Sequence, residues 1–284
     1  MSVARSEGRH VVQQQKPRIA LETLARAGYA TRGALYLIVG GLAGLAAAGQ
    51  GGETTDTKGA LLEVYAQPFG EVLLSLAAAG LAGYAIFLVC RAVLDPEAEA
   101  RGAWGPAKRA GWAFIALFHG SLALFALSMV LGHGSGAHDG GQEARGLTAT
   151  VLAWQPLGPW LIGGVGIGIL SGAAYDLRCA WKAKLDEHLD LSRLATAARQ
   201  WVIRLSRAGI AARAAVGVVA GAFLLVAAAT ADPNQTKGFA DSLGALRAMP
   251  FGQWLFGGAA LGLIAFGCYQ LIEARYRRVL GHSR

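Results

Sequence analysis

Charge is what this chain has least of. Only 15% of its 284 residues are Asp, Glu, Lys or Arg, against about 25% in ordinary soluble domains. A soluble protein of this length needs a charged skin, and the residues to make one are missing. Three cysteines exclude a disulfide scaffold. Residues 1–18 are basic and polar with no apolar run, so they are not expected to be a secretory signal. No His-Glu-x-x-His, phosphate-cradling loop, dinucleotide glycine motif or nucleophile elbow occurs. Intramembrane hydrolases and oxidoreductases need clustered carboxylates, histidines or thiols, and no apolar stretch carries an Asp or Glu in its middle. The expectation is a chain that is not an enzyme and holds no cofactor and no metal.

Apolar residues and glycine fill the space that charge leaves. Hydrophobic residues make up 54%, and there are 40 glycines, about twice the usual share of ~7%. Six apolar stretches run near Gly33–Gly49, Val72–Leu94, Gly111–Leu131, Trp160–Cys179, Ile210–Ala231 and Trp254–Ile272. Each is close to the roughly 20 residues that a bilayer-spanning helix needs. None has a polar face, which a helix at the surface of a soluble protein would show. The predicted class is all-α, a polytopic six-helix transmembrane bundle.

The basic residues are unevenly placed. Segments 1–32, 91–110, 176–208 and 273–284, with Arg213, hold 22 of the 26, leaving only Lys58, Arg145, Lys237 and Arg247 on the other connections. Basic residues stay on the cytoplasmic side. The net charge of +8 therefore reads as a topology signal, with both termini expected on the cytoplasmic side. No basic stretch is interleaved with base-stacking aromatics on a separate domain, so nucleic acid is not an expected partner. Tryptophans at or near the span ends, such as Trp104, Trp160 and Trp254, fit interfacial belts.

Three internal repeats organise the chain. Arg26-Ala27-Gly28 recurs as Arg109-Ala110-Gly111 and Arg207-Ala208-Gly209, each opening an odd-numbered span. Twelve residues after each glycine stands a small residue, Gly40, Ala123 or Gly221. A basic-glycine pair follows at Lys58-Gly59, Arg145-Gly146 and Lys237-Gly238. Each even-numbered span then opens on Pro68-Phe69-Gly70, Pro156-Leu157-Gly158 or Pro250-Phe251-Gly252, with a further glycine at Gly80, Gly168 or Gly262. The boundaries read as a basic segment 1–19, repeats at 20–98, 104–181 and 208–278, and an amphipathic linker helix at 182–207. Each repeat crosses twice, so the three are parallel and a pseudo-threefold axis along the membrane normal is expected. Gly40, Gly80, Gly168, Gly221 and Gly262 are read as helix-packing positions, where small residues let backbones approach in lipid.

The arrangement resembles domain-of-unknown-function family 1206, bacterial membrane proteins with three successive pairs of transmembrane helices. The Arg-Ala-Gly openings, Gly28 to Arg32 and Gly209 to Arg213, and the Pro-Phe-Gly turns carry the likeness over roughly residues 20–278. Repeat two departs from it, with Ile115 in place of the arginine and Pro-Leu-Gly in place of Pro-Phe-Gly. The resemblance implies a six-helix inner-membrane protein and carries no activity with it.

The candidate sites follow from the repeats. His119 is the only histidine in a span, and its equivalents are Tyr36 and Gly217. An ionisable group at that depth is a functional hypothesis by default, beside the plainer reading of a neutral imidazole bonded within the bundle. Arg32 and Arg213 sit one turn inside the membrane and can snorkel to the headgroups. Alternatively, with Arg26, Arg109 and Arg207 they ring an anion-attracting opening. Lys58, Arg145 and Lys237 form a second ring outside, or each anchors the short helix after it: Gly59–Gln67, Gly146–Gln155 and Gly238–Met249, expected at the outer interface. His133, His138 and Asp139 offer a weak metal site, and Cys90, Cys179 and Cys268 read as packing. The linker helix suits anionic lipid headgroups or a membrane-protein partner. Two functions follow: a non-catalytic scaffold that interacts with partners or lipid, or a permeation protein for small anions or lipid with a cavity on the axis.

Overall fold

The computed structural model describes residues 3–50, 55–95, 100, 102–133, 140–182, 189–192 and 194–277, with side chains described from residue 19 onward except at 140 and 141. Among them, six long helices have the length and composition to cross a membrane: α1 (Val3–Ala47), α3 (Gly70–Leu94), α4 (Gly105–Val130), α6 (Leu157–Lys182), α7 (Thr196–Thr230) and α9 (Gly252–Tyr276). Three short helices, α2 (Thr57–Tyr65), α5 (Gly140–Leu152) and α8 (Phe239–Arg247), lie between the members of each pair. The protein is a six-helix bundle of three tandem hairpins. The end that carries α2, α5 and α8 is called here the loop face, and the opposite end the terminal face.

The turn into each even-numbered span explains the Pro-apolar-Gly motif. Phe69 and Phe251 take left-handed backbone (φ 62° and 60°), and the next glycine folds back onto the short helix. Gly70 N donates to Gln67 O and Gly252 N to Met249 O, each at 2.8 Å, and Gly158 N to Trp154 O at 2.7 Å. A Cβ on any of these glycines would overlap the carbonyl of Tyr65, Val151 or Arg247. Glycine is required there by close approach of backbone to backbone.

The six spans form a ring. Across repeats, α3 packs on α4, α6 on α7, and α9 on α1, the same seam three times. Within repeats, α1 packs on α3 and α7 on α9, but α4 and α6 share no packed face. The threefold order therefore holds at the seams and fails inside the second hairpin.

The packing glycines divide accordingly. At the seams, a Cβ on Gly40 would lie 2.8 Å from Ile264 N, and one on Gly221 would lie 2.8 Å from Leu170 Cγ. Inside the hairpins, Gly80 is closed upon by Thr31 and Gly262 by Ala212. Gly168 corrects the sequence reading: nothing approaches it, nor Gly164 or Gly172. The reason lies on the facing span. Thr31 and Ala212 stand three residues after Gly28 and Gly209, and the same place after Gly111 holds Phe114. A phenyl ring cannot seat where a hydroxyl or methyl group does, and Phe114 is exposed.

Two further expectations are corrected. The 182–207 linker is not a separate helix: Lys182 ends α6, Leu189 bridges to Arg277, and Thr196 onward belongs to α7. Within that stretch 183–188 and Arg193 lie outside the described residues. The short helices do not simply rest at the interface, because Ala60, Leu61 and Leu243 are buried. These residues join one apolar core with Leu35, Leu74, Leu122, Val216 and Phe256 in the loop half, to which α5 and α6 contribute no buried residue.

Candidate functional site

The terminal half of the ring holds polar groups where the loop half holds leucines. Arg32 and Arg213 do not snorkel. Arg32 is 9% exposed, donates to the Tyr84 hydroxyl at 2.6 Å and lies over that ring at 4.7 Å. Arg213 pairs with Asp176 of α6 and lies 5.3 Å from the Phe266 centroid. Both helices continue well past these arginines toward the terminal face, and α7 reaches exposed Trp201, about 18 Å away at 1.5 Å per residue. Snorkelling is overturned because Tyr84 and Asp176 supply partners closer than the headgroups.

The charges of Arg213 and Arg32 both bear on the Tyr36 hydroxyl, and its ring meets Phe266 edge-on at 4.7 Å. His119 is buried on α4, with Nδ1 2.8 Å from Ile115 O and its ring 4.9 Å from that of Tyr84. The Ile115 carbonyl can only accept, so Nδ1 carries a proton. His119 and Tyr36 thus enter one cluster, joined through Tyr84 and Arg32.

A second chain of polar groups runs behind Arg32. In the amide orientation that satisfies its neighbours, Gln270 accepts from Arg32 Nη1 at 3.0 Å and donates to Glu273 Oε2 at 2.7 Å. Glu273 Oε1 accepts from Arg277 Nη1 at 2.5 Å, and Arg277 lies 5.1 Å from the Tyr29 centroid. Arg91, also buried, stacks on Trp112 at 4.4 Å.

Access distinguishes one wall of the cluster. Arg213 and Asp176 keep 35% and 28% of their side-chain surface accessible. Asp176 and His119 stand on α6 and α4, the two helices that flank the open side of the ring.

The two basic rings are not assembled. Arg26 binds Glu22 at 2.5 Å and reaches Arg275 O, Arg109 faces Asp95 at 3.9 Å, and Arg207 donates to Trp181 O at 3.2 Å. On the loop face Lys58 pairs with Glu143, and Arg145 with Asp241 at 2.8 Å and Thr236 O at 3.3 Å. These contacts stitch the short helices of successive repeats into a cap. Lys237 lies over Phe223 at 5.7 Å instead, so the stitching does not close into a ring. Burial lowers Lys58 from its ordinary range. His133 follows α4 with its N–H on Ser128 O, while His138 and Asp139 lie outside the described residues.

Sequence reasoning missed Asp176, Gln270, Glu273 and Tyr84. The repeat register contained the signal. Eight residues after Gly80, Gly168 and Gly262 stand Leu88, Asp176 and Gln270. The facing positions, four residues after Gly111, Gly209 and Gly28, are Ile115, Arg213 and Arg32. A seam with an arginine has a carboxylate or carboxamide opposite, and the seam with isoleucine has leucine.

Ring, cap and polar cluster define a polytopic membrane protein built from three parallel helical hairpins. The chain belongs to the family described as Domain of Unknown Function (DUF1206), which matches it three times in tandem, over residues 27–95, 110–183 and 208–277. Each match begins on the alanine of an Arg-Ala-Gly opening. It is similar to the uncharacterized protein YxxB of Bacillus subtilis (strain 168), 34% identical over 269 residues that cover 95% of both chains. No solved structure matches.

Proposed function

We propose that this protein is a non-catalytic, lipid-interacting membrane protein whose binding place is the open side of the ring between α4 and α6. One observation carries the reading: two hairpins close glycine against helix, and the third leaves Gly111, Gly168 and Gly172 uncovered. In a bilayer such a furrow is filled by lipid or by another helix, since exposed apolar surface meets no water there. The termini lie on the cytoplasmic side, where the basic residues put them. Lys108 and Arg109 stand near the terminal-face end of α4, and Arg178 and Lys182 near that of α6, where cations attract anionic headgroups. The alternative, permeation along the axis, ranks below this because the loop half holds a packed apolar core that includes Leu61, Leu243 and Phe256.

The reading is tested by purifying the whole protein in mild detergent and counting retained phospholipid per chain. The wild-type chain is expected to keep lipid, and Gly168→Phe to keep less, with Gly258→Phe as a control at an equally open glycine elsewhere. Equal retention by all three would overturn the proposal, as would a co-purifying protein at unit stoichiometry with no lipid. Liposomes bearing the protein are expected to pass chloride or phosphate no faster than empty ones.

A further inference from the structure

We infer that Leu189–Leu191 is a strap that seals the terminal end of the ring between α6, α7 and α9, and that lifting it lets water reach the buried groups beneath. This goes beyond the lipid reading and does not depend on it.

The strap begins in its sequence. Leu189, Asp190 and Leu191 alternate apolar, charged and apolar, the pattern of an extended segment with one buried face. The two leucines are 2% and 3% exposed and form one apolar cluster with Ala180 of α6, Ile210 of α7 and Phe266 of α9. The Asp190 carboxylate accepts from the Ser192 hydroxyl at 2.6 Å, on the exposed side. The end of α9 receives the strap. Arg277 leaves that helix in extended backbone (ψ 132°), Leu189 bridges to it in antiparallel fashion, and Asp190 N donates to Tyr276 O at 2.8 Å. The last four carbonyls of a helix have no partner within it, and the strap supplies one. The connection between the first two repeats does nothing comparable: among its described residues, Asp95, Ala100 and 102–104, none is buried.

Two features lie beneath the strap. Ser206 of α7 is fully buried and its hydroxyl has no hydrogen-bond partner. It shares one face of α7 with Val202, Ile203 and Ile210, all of which belong to or pack on the strap's cluster. A buried hydroxyl without a partner costs free energy, and water arriving as the strap lifts restores the bond. The other feature is the Arg277 side chain, which ends the polar chain running through Glu273 and Gln270 to Arg32. Lifting the strap releases the Arg277 backbone and uncovers that end. Two leucines and a single bridge hold the strap, so it opens locally while the bundle stays folded.

The test is thiol labelling of the full chain in lipid vesicles, with the native cysteines replaced by alanine. A charged maleimide that cannot cross the bilayer is added at the terminal face. Ser206→Cys reports on the strap, and Gln200→Cys, at an exposed position of the same helix, sets the unhindered rate. Ser242→Cys, equally buried on α8 and probed from the loop face, reports general loosening. Ser206→Cys is expected to label about a hundredfold slower than Gln200→Cys, and Leu189→Ser with Leu191→Ser to raise its rate about tenfold, because labelling follows the population of the open form. Ser242→Cys should stay slow. If it also becomes reactive, the double variant has loosened the whole fold, and Leu191→Ala takes its place, with a smaller rise expected at Ser206→Cys alone. Labelling of Ser206→Cys as fast as Gln200→Cys in the parent chain overturns the inference, since nothing is then sealed. Slow labelling that no strap variant raises overturns it as well, because other residues then make the seal.

Discussion

The first and third hairpins close on their glycines, and the second, with the same glycines, stands open. Gly28 meets Tyr84 and Gly209 meets the backbone of Phe266, while Gly111 meets nothing. The motif is present three times and the contact only twice, so small residues permit helix approach without enforcing it. What decides is the partner surface, where Thr31 and Ala212 give way to Phe114. The seams vary in the same manner: two carry an arginine with a polar partner, and the third carries Ile115 and Leu88. The threefold backbone plan is thus used for two different jobs, stiff closure in two hairpins and an opening in one.

The largest effect should separate the hairpins directly. Gly209→Leu is expected to destabilise by about 3 kcal/mol or more, because its side chain would displace the backbone of α9. Gly111→Leu should shift thermal unfolding by less than about 0.5 kcal/mol, as surface changes do. Similar melting shifts for the two would show that the second hairpin is closed after all.

Next in size comes the polar seam. Asp176→Leu removes the carboxylate paired with Arg213, and a loss of about 2 kcal/mol is expected, reduced from a fully buried pair by the access that remains. Adding Arg213→Ile copies the Leu88 and Ile115 seam and should recover most of that loss in a double-mutant cycle. A double variant no more stable than the single one would mean that the seams are not interchangeable.

A smaller effect should follow Phe114→Ala, which copies the third hairpin's Ala212. Cysteines placed at Gly111 and Gly172 are expected to cross-link poorly in the parent and readily with Phe114→Ala. Unchanged cross-linking would remove Phe114 as the cause of the opening.

The smallest concerns the loop face, where Asp232 caps the turn Pro233–Gln235. The N–H of Asn234 at 2.9 Å, aided by Gln235, holds the Asp232 carboxyl below its ordinary range. A depressed carboxyl contributes stability at pH values above its unfolded value, near 3.9, and that contribution is lost as pH falls through the folded value. An NMR titration of Asp232 should therefore give a midpoint below 3.9. A midpoint at or above that value would contradict the cap.

The two polar residues opposite the arginines show how far the chain could be read without coordinates. Asp176 and Gln270 share one register with Leu88, so their pairing with Arg213 and Arg32 was available from the repeat alone. They escaped notice because Asp176 lies near the end of an apolar run, where charge reads as a boundary. Tyr84 had no such signal, since its equivalents are Gly172 and Phe266.

Low charge, six apolar runs and a threefold motif were enough to determine a helical membrane protein of three hairpins. Those properties repeat along the chain and need no knowledge of what touches what. That Arg32 and Arg213 turn inward, that Gly168 packs on nothing, and that the second hairpin is open were decided only by tertiary structure. Each depends on the size and charge of a facing residue far away in sequence, and helix packing is a property of two surfaces.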